Sequence, residues 1–340
     1  NYPRLKHLMK DPENFIPHDY VKEMFPIFDE AHNFKNTKTL RFKFTQAICR
    51  VTSTALFMTG TPMLNRTAEL YALLMLLVSK FMSWTKFMQT FCGLSYGPYG
   101  ANTDGNTNSQ YLKNWLYENV MVRREKKELM PQLPPISRQA VKIKELPVVI
   151  PAECLFELMA TSAELKSKDP DFLAYLEQVI EEAGKVGIFA HHKSMLDAIE
   201  DFCVSNKIKF IRIDGSVPER ERVSLAKIFA QNPEYRVAIL SINAASEGLN
   251  ELQTSCQVCI WVEHPWTPGR LDQGESRFHR PGVPGAVLSL RVIYSQFDAV
   301  MDYMLLSKTG AFKRVISNEE IPDSVQEEAL LTQVAKELGI

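Results

Sequence analysis

The sequence predicts an α/β protein built on parallel sheets, and two observations support this. The second half alternates short apolar runs with helical stretches, and turn residues such as Asp214-Gly215-Ser216 precede Pro218, as at a helix N-terminus. Predicted strands cover 186–190, 208–213, 236–242, 256–262 and 286–294. Predicted helices cover 194–205, 218–230, 268–278 and 297–307. Such alternation favours parallel strands joined by helical crossovers.

The first half predicts a smaller sheet and a helical region. Apolar runs at 25–28 and 55–58 are typical of buried parallel strands, with a helix over 39–49 between them. Leu, Met and Phe at helical spacing over 68–92 predict packed helices, and 93–109 reads as an exposed loop. Prolines mark a boundary between two halves near 131–135, and 318–338 predicts an acidic amphipathic helix.

Bulk composition excludes several classes of protein. A net charge of -1 gives no bulk basicity, so any nucleic-acid contact must come from local patches. The six cysteines are scattered among apolar residues, as buried thiols in a reducing compartment are. Cys256 and Cys259 have metal-ligand spacing without a second pair, so we expect core cysteines. We expect no membrane partner, because no apolar run spans a bilayer and no signal-peptide pattern occurs.

Paired acids end the first predicted strand, as Asp29-Glu30-Ala31-His32. Ligands of open α/β sheets collect at the carboxyl edge, where an Asp can hold Mg²⁺ through water and a Glu can polarise an attacking water. The alternative is a solvated turn. Thr59-Gly60-Thr61-Pro62 ends the second strand, and its hydroxyls could couple the acids to a site further along. The alternative there is an ordinary strand-to-helix turn.

The helix predicted from Pro268 carries Gln273, Arg277 and Arg280 at spacings of four and three, which share one helix face. Two arginines and a glutamine suit a phosphate group, and the alternative is two solvated arginines. The loop over 241–250 follows an apolar strand and could bring amides to a phosphate. We expect His191 or His192 to cap the next helix, and His279 to pack. No Ser/His/Asp arrangement supports hydrolase triad chemistry.

Together these stretches resemble the SWI/SNF-type DNA-dependent ATPases of helicase superfamily two, from about Phe28 to Lys308. Asp29 to His32 resembles motif II, and Thr59 to Pro62 with Asn65 resembles motif III. Arg123 and Arg124 are similar to the segment joining the lobes. Residues 241–250 resemble motif V, and the Q-x-x-x-R-x-x-R ending at Arg280 resembles motif VI.

The resemblance implies roles that spacing does not give. Catalytic roles fall on Asp29, Glu30, Arg277 and Arg280, with Asp29 also the magnesium ligand through water. Nucleotide-binding or coupling roles fall on His32, Thr59, Gly60, Thr61, Gly248 and Gln273. DNA-binding roles fall on Asn65, Arg123, Arg124, Ser241, Asn243 and Ala244. The implied cofactors are ATP and Mg²⁺, and the implied partner is double-stranded or branched DNA in the nucleus.

The resemblance also implies the architecture. We expect two RecA-like lobes: the C-terminal part of lobe one over 1–135, with a helical protrusion at about 66–130, lobe two over 136–314, and a helical tail over 315–340. Within the family, the chain most resembles the annealing helicases, which rewind DNA at stalled forks. This resemblance rests on residues 188–193, 196–199 and 211–216.

Departures leave alternatives open. The sequence contains no Gly-x-x-x-x-Gly-Lys-Ser/Thr phosphate loop, so we expect this chain by itself not to hydrolyse ATP and the family's earlier motifs to precede Asn1. Glu247 and Glu251 replace apolar residues of motif V, which favours a non-catalytic DNA- or partner-binding relative. A DEAH-class RNA helicase shares the acidic tetrapeptide but not Thr59-Gly60-Thr61-Pro62.

Overall fold

A computed structural model describes residues 22–63, 65–97, 100–150, 155–243 and 249–316. Within them the chain forms two compact units. Unit one runs to Arg124 and resumes at Lys308, and unit two runs from Glu125 to Ser307. The sequence predicted this division at 135 and a second lobe that extends to 314.

The acidic motif of unit one follows a strand that belongs to a short parallel pair. Strand β1 (Ile27–Phe28) pairs in parallel with β2 (Leu56–Phe57). The rings of Phe28 and Phe57 stack with centroids 4.8 Å apart, and Phe34 packs edge-on against both. These aromatic contacts fix the two strand ends beside each other, because burial of such rings dominates local packing energy.

Helices form most of the rest of unit one. They are α1 (Leu40–Val51), α2 (Leu70–Leu77), α3 (Trp84–Phe91) and α4 (Ser109–Asn119), with a hairpin of β3 (Ser95–Gly97) and β4 (Gly100–Asn102). Thr39 and Ser83 cap α1 and α3 through their hydroxyls. The helical pattern predicted over 68–92 is therefore two helices. Leu74, Phe87 and Leu112 belong to their shared core.

Unit two contains the parallel sheet that the alternation predicts. Its six strands are β5 (Ile136–Lys142), β6 (Val186–Ala190), β7 (Lys209–Ile213), β8 (Tyr235–Ser241), β9 (Val258–Trp261) and β10 (Val287–Ile293). Their spatial order is β5-β10-β9-β6-β8-β7, and all neighbours are parallel. The predicted α/β class with a RecA-like parallel sheet is confirmed.

Along the chain, helices precede or follow the strands of this sheet. They are α5 (Lys126–Leu129), α6 (Leu155–Lys168), α7 (Pro170–Ala183), α8 (Lys193–Ser205), α9 (Glu219–Gln231), α10 (Pro268–Glu275) and α11 (Gln296–Ile316), of which the residues from Lys308 onward belong to unit one. Two buried clusters result, one centred on Phe172 and Ile188 and the other on Phe229 and Trp261. Cys256 and Cys259 are buried core thiols, as predicted, and burial raises the pKa of Cys256 to about 12.

Several predicted boundaries were wrong. Helix α10 ends at Glu275, and α11 extends to Ile316. Sequence reasoning missed β5, because Ser137, Arg138 and Gln139 make this exposed edge strand polar. Helices α6 and α7 were also missed. The helix predicted over 318–338 lies outside the described residues.

Candidate functional site

The acidic pair of unit one lies where β1 ends. Asp29 and Glu30 are exposed, and Asp29 Oδ1 accepts the Glu30 amide at 2.8 Å. Glu30 has φ +48°, a left-handed conformation that L residues other than glycine seldom adopt. The Ala31 amide then donates at 2.9 Å to the carbonyl oxygen of Met58, the residue that follows β2. This hydrogen bond joins the ends of the two strands. A strained residue at a strand end is a common feature of functional sites.

His32 links the acidic pair to the Thr59 turn. Its ring is buried, and Nδ1 lies 3.1 Å from Thr59 Oγ1 and 3.3 Å from Glu30 Oε2. Thr59 Oγ1 also accepts the Thr61 amide at 3.1 Å. One imidazole therefore contacts both the acid and the hydroxyl turn that the sequence analysis singled out for coupling.

The basic and amide residues of unit one lie near the same turn and beyond it. Arg123 donates to Gly60 O at 3.4 Å, and Arg124 is exposed. The backbone amide of Asn65 donates to Glu69 Oε2 at 3.0 Å. Of these three predicted DNA-binding residues, Arg123 thus contacts the Thr59 turn directly.

The arginines of unit two lie on a tight turn rather than on a helix face. We call residues 275–280 the arginine turn. It follows the end of α10, with Phe278 N and His279 N both donating to Glu275 O. The prediction that Gln273, Arg277 and Arg280 share one helix face was therefore wrong. Gln273 lies within α10 and is partly buried.

Both arginines nonetheless contact the same carbonyl. Arg277 Nη1 donates to Leu249 O at 3.2 Å and Arg280 Nη1 to the same oxygen at 3.5 Å. Arg280 also donates to Asn250 Oδ1 at 2.5 Å and to Ser276 O at 2.8 Å. Burial lowers the pKa of Arg280, yet an arginine stays charged at neutral pH. Two guanidinium groups are thus held at the end of the motif V segment.

The rest of that segment is described only in part. Ser241 is the last residue of β8, and Asn243 is exposed in the turn after it. Ala244 and Gly248 lie outside the described residues, as does Glu247. Glu251 has φ +86° at the start of a short 3₁₀ helix.

A Glu–His pair was missed by sequence reasoning. Glu263 Oε2 accepts the amides of His191 and His192 at 2.7 and 2.9 Å, and Oε1 lies 2.5 Å from His192 Nδ1. Although burial opposes it, hydrogen bonding from His192 holds the pKa of Glu263 below its usual range. His192 occupies the N-cap position of α8, as predicted, although its side chain makes no capping hydrogen bond. The strand-end position of Glu263, after Trp261 and Val262, is the signal that could have found it.

A buried ion pair near the same strand end was also missed. Lys166 is fully buried, and its Nζ donates to Asp298 Oδ1 at 2.8 Å and to Val262 O at 2.6 Å. Asp298 Oδ2 accepts the amides of Tyr294 and Ser295. This network fixes the β9 end to α6 and α11. Nothing in the local sequence pairs Lys166 with a residue so far along the chain.

The arginine turn is also held from the start of unit two. Arg138 Nε and Nη2 lie 2.8 Å from Glu275 Oε2, Lys126 Nζ donates to Ser276 Oγ at 2.5 Å, and His279 Nε2 lies 2.6 Å from Pro134 O. His279 thus hydrogen-bonds a backbone carbonyl from the start of unit two. None of these partners was anticipated.

The donor set in unit one fits a magnesium–nucleotide complex. Mg²⁺ prefers oxygen ligands and takes one or two carboxylates plus phosphate oxygens and waters. Asp29 offers such a carboxylate at an exposed strand end. Among the described residues no group of three His, Cys, Asp or Glu side chains could hold a metal by itself. Nor does any helix in the described ranges have the length and apolarity to cross a bilayer.

Comparison with known proteins identifies two domain families. Residues 13–146 match the SNF2-related domain, and residues 171–282 match the helicase conserved C-terminal domain. The chain is 32% identical over 315 residues to SWI/SNF-related matrix-associated actin-dependent regulator of chromatin subfamily A-like protein 1 of Drosophila melanogaster, covering 86% of this chain and 41% of that protein.

A second relative and one solved structure are also similar to this chain. DNA annealing helicase and endonuclease ZRANB3 of Bos taurus is 33% identical, with 83% of this chain and 29% of that protein covered. A solved structure of the C-terminal part of the Fun30 ATPase domain is 20% identical, with a TM-score of 0.38, covering 54% of this chain and 63% of that one. The chain spans less than half the length of these two curated relatives. On its two matched domains and its relatives, the chain belongs to the SNF2 family of helicase-type proteins.

Proposed function

We propose that this chain supplies the water-activating acids and the arginine finger of an ATP-driven translocase on double-stranded DNA. The observation that carries the proposal is the convergence of Arg277 and Arg280 on Leu249 O. This convergence supports the proposal because it holds two guanidinium groups close together, and such groups can stabilise charge on a transferring phosphoryl group. The family supports DNA and ATP as partners.

In this proposal each motif has one task. Mg²⁺ bound with ATP would neutralise phosphate charge, and Asp29 would hold it through water. Glu30 would orient and deprotonate the attacking water. Arg280 would stabilise the developing charge, with Arg277 and Gln273 beside the nucleotide. Gly248, which lies outside the described residues, keeps its proposed place beside the nucleotide.

We further propose that His32 and Thr59 couple hydrolysis to DNA. His32 Nδ1 lies 3.3 Å from Glu30 Oε2 and 3.1 Å from Thr59 Oγ1, so a displacement of either group would alter the contact that the other makes with His32. Gly60 and Thr61 complete that turn, and Arg123 contacts it through Gly60 O. Asn65, Arg123 and Arg124 from unit one, and Ser241, Asn243 and Ala244 from unit two, would contact DNA phosphates.

The kind of DNA and the place of action are also proposals. The ZRANB3 relative is named as a DNA annealing helicase. Branched DNA, such as a stalled replication fork, is therefore the substrate that we propose, with repair as the process and the nucleus as the location.

The arginine finger is tested by Arg280→Ala in a polypeptide that contains this chain and hydrolyses ATP. We expect turnover to fall on the order of 10³- to 10⁵-fold, because an arginine finger contributes that much to phosphoryl transfer. DNA binding should stay within about two-fold, since Arg280 contacts protein groups here. Arg50→Ala, which removes an exposed arginine whose side chain donates to Gln46 Oε1, is the matched control. Unchanged turnover in Arg280→Ala would remove the finger role.

The 340-residue chain alone is a separate case. We propose that it does not hydrolyse ATP, because its sequence holds no phosphate-cradling loop for the β and γ phosphates. ATP turnover with and without forked DNA measures this directly. DNA-stimulated hydrolysis by this chain would contradict the proposal.

A non-catalytic DNA- or partner-binding role is the second candidate. Glu251, which has a left-handed backbone, places acid directly after residues 241–250, at a position where the resemblance to the family leads us to expect an apolar residue. Forked-DNA binding without turnover, in every longer polypeptide that contains this chain, would favour this candidate over the first.

A further inference from the structure

The segment that opens unit two contacts the arginine turn at three successive places. Arg138 pairs with Glu275, Lys126 donates to Ser276, and the Pro134 carbonyl contacts His279. All of these residues lie within unit two. The arginine turn is therefore held by residues from 126–138, separated from it by more than a hundred positions in sequence.

The Arg138–Glu275 contact is the most demanding of the three. Glu275 is 2% exposed, whereas the side chain of Arg138 is 45% exposed. Arg138 directs both Nε and Nη2 at Glu275 Oε2. Among the described residues no hydrogen-bond partner reaches Glu275 Oε1. A carboxylate this buried depends on its charged partner, because an unpaired charge is poorly solvated in a protein interior.

Glu275 also sets the course of the backbone. Its carbonyl accepts the amides of Phe278 at 3.0 Å and His279 at 2.8 Å. Gly274 beside it packs so closely that an added Cβ would lie 2.5 Å from the Trp261 ring. A displacement of Glu275 would therefore displace the residues between Arg277 and Arg280.

We propose that Arg138 is a positioning residue for Arg277 and Arg280. By pairing with buried Glu275, it holds the arginine turn in the conformation in which both guanidinium groups contact Leu249 O. The effect on turnover rests on the proposed function, whereas the positioning itself does not.

Amide hydrogen exchange of the 340-residue chain tests the positioning directly. In Arg138→Gln we expect the amides of Phe278 and His279 to exchange faster, on the order of ten-fold, because local opening no longer has to break the ion pair. The amides of β6 should exchange as in the unchanged protein. Lys209→Gln, which removes a surface ion pair with Glu234, is the control and should change neither set.

Two results would overturn the proposal. One is unchanged exchange at Phe278 and His279, and the other is equal acceleration throughout the sheet. If Arg138→Gln fails to fold, Glu275→Gln carries the same test, since it removes the buried charge and the pair together. The expected result is again faster exchange confined to the arginine turn.

Steady-state kinetics then connect positioning to chemistry. In an ATP-hydrolysing polypeptide that contains this chain, Arg138→Gln should lower kcat on the order of 10- to 100-fold with little change in KM, as misplacement of a catalytic group does. Arg138→Lys should recover part of that loss. In a background with both Arg277→Ala and Arg280→Ala, Arg138→Gln should lower kcat no further, whereas a purely structural loss would add to it.

The two proposals fail in different ways. Unchanged turnover in Arg280→Ala would contradict the finger role and leave the exchange result to decide the positioning. A large loss in Arg280→Ala together with unchanged kcat in Arg138→Gln would contradict the positioning role alone.

Discussion

The acidic strand end of unit one and the arginine turn of unit two hold their charges in opposite ways. Asp29 and Glu30 are exposed, and their geometry comes from close neighbours in sequence and from β2. Arg280 is half-buried and donates to Leu249, Asn250 and Ser276. The carboxylates can exchange ligands with solvent, whereas the guanidinium groups are preorganised by carbonyl oxygens.

The difference corresponds to different chemical demands. A carboxylate that holds a metal through water needs solvent access, because Mg²⁺ retains several of its waters. A group that stabilises transition-state charge acts best when it is already oriented and needs no reorganisation. The strained backbone at Glu30 is the one place where the acidic end departs from relaxed geometry.

On the acidic side of the comparison the largest effect should come from Glu30→Gln, second only to that of Arg280→Ala on the arginine side. It keeps the size of the side chain but removes the base, so turnover should fall on the order of 10²- to 10⁴-fold. Steady-state ATPase assays of an ATP-hydrolysing polypeptide that contains this chain measure this. Glu234→Gln, on an exposed glutamate that pairs with Lys209, should leave turnover unchanged. An unchanged rate in Glu30→Gln would show that another residue acts as the base. The comparison between the acidic strand end and the arginine turn would then no longer hold.

A matched pair of glycine substitutions gives the next effect. Gly274→Ala puts a Cβ 2.5 Å from the Trp261 ring, whereas nothing lies within 4 Å of a Cβ at Gly60. We expect Gly274→Ala to lower the free energy of unfolding by about 1–3 kcal/mol. Gly60→Ala should change it by less than about 0.5 kcal/mol. Urea unfolding of both variants measures the contrast, and equal stabilities would mean that the end of α10 is no more tightly packed than the Thr59 turn.

The smallest effect concerns pH. A hydrogen bond to Glu263 raises the pKa of His192 above its usual 6.5. A raised histidine pKa stabilises the fold below the unfolded pKa, and this stabilisation is lost as pH rises through the folded value. The unfolding free energy of the unchanged protein should therefore fall by about 1 kcal/mol, relative to His192→Gln, as pH rises from 6 to 9.

Chemical denaturation of both proteins across this pH range provides the measurement. A constant difference between them would show that the Glu263 contact does not depend on the charge of His192. The pair lies in unit two, beside the end of β9 from which the chain continues into α10. The difference in unfolding free energy therefore also measures how much this contact stabilises that end of the strand.

Periodicity predicted most of the architecture. Buried central strands such as β6 and β9 are continuous apolar runs, and their order in the chain was read directly. Edge strand β5 was missed because an edge strand has a solvent-exposed side and can carry polar residues such as Ser137 and Gln139. The helical face expected for Arg277 and Arg280 was wrong, because the chain turns after Glu275 and spacing alone does not reveal where a helix ends.

The sequence by itself determined the α/β class, the parallel sheet and the motif residues, since these follow from local pattern and residue type. Only the tertiary structure decided which distant groups hold them: His32 against Thr59, Glu263 against His192, and Arg138 against buried Glu275. Partners so far apart in sequence meet only when the sheet and its helices have packed, and no local period encodes that meeting.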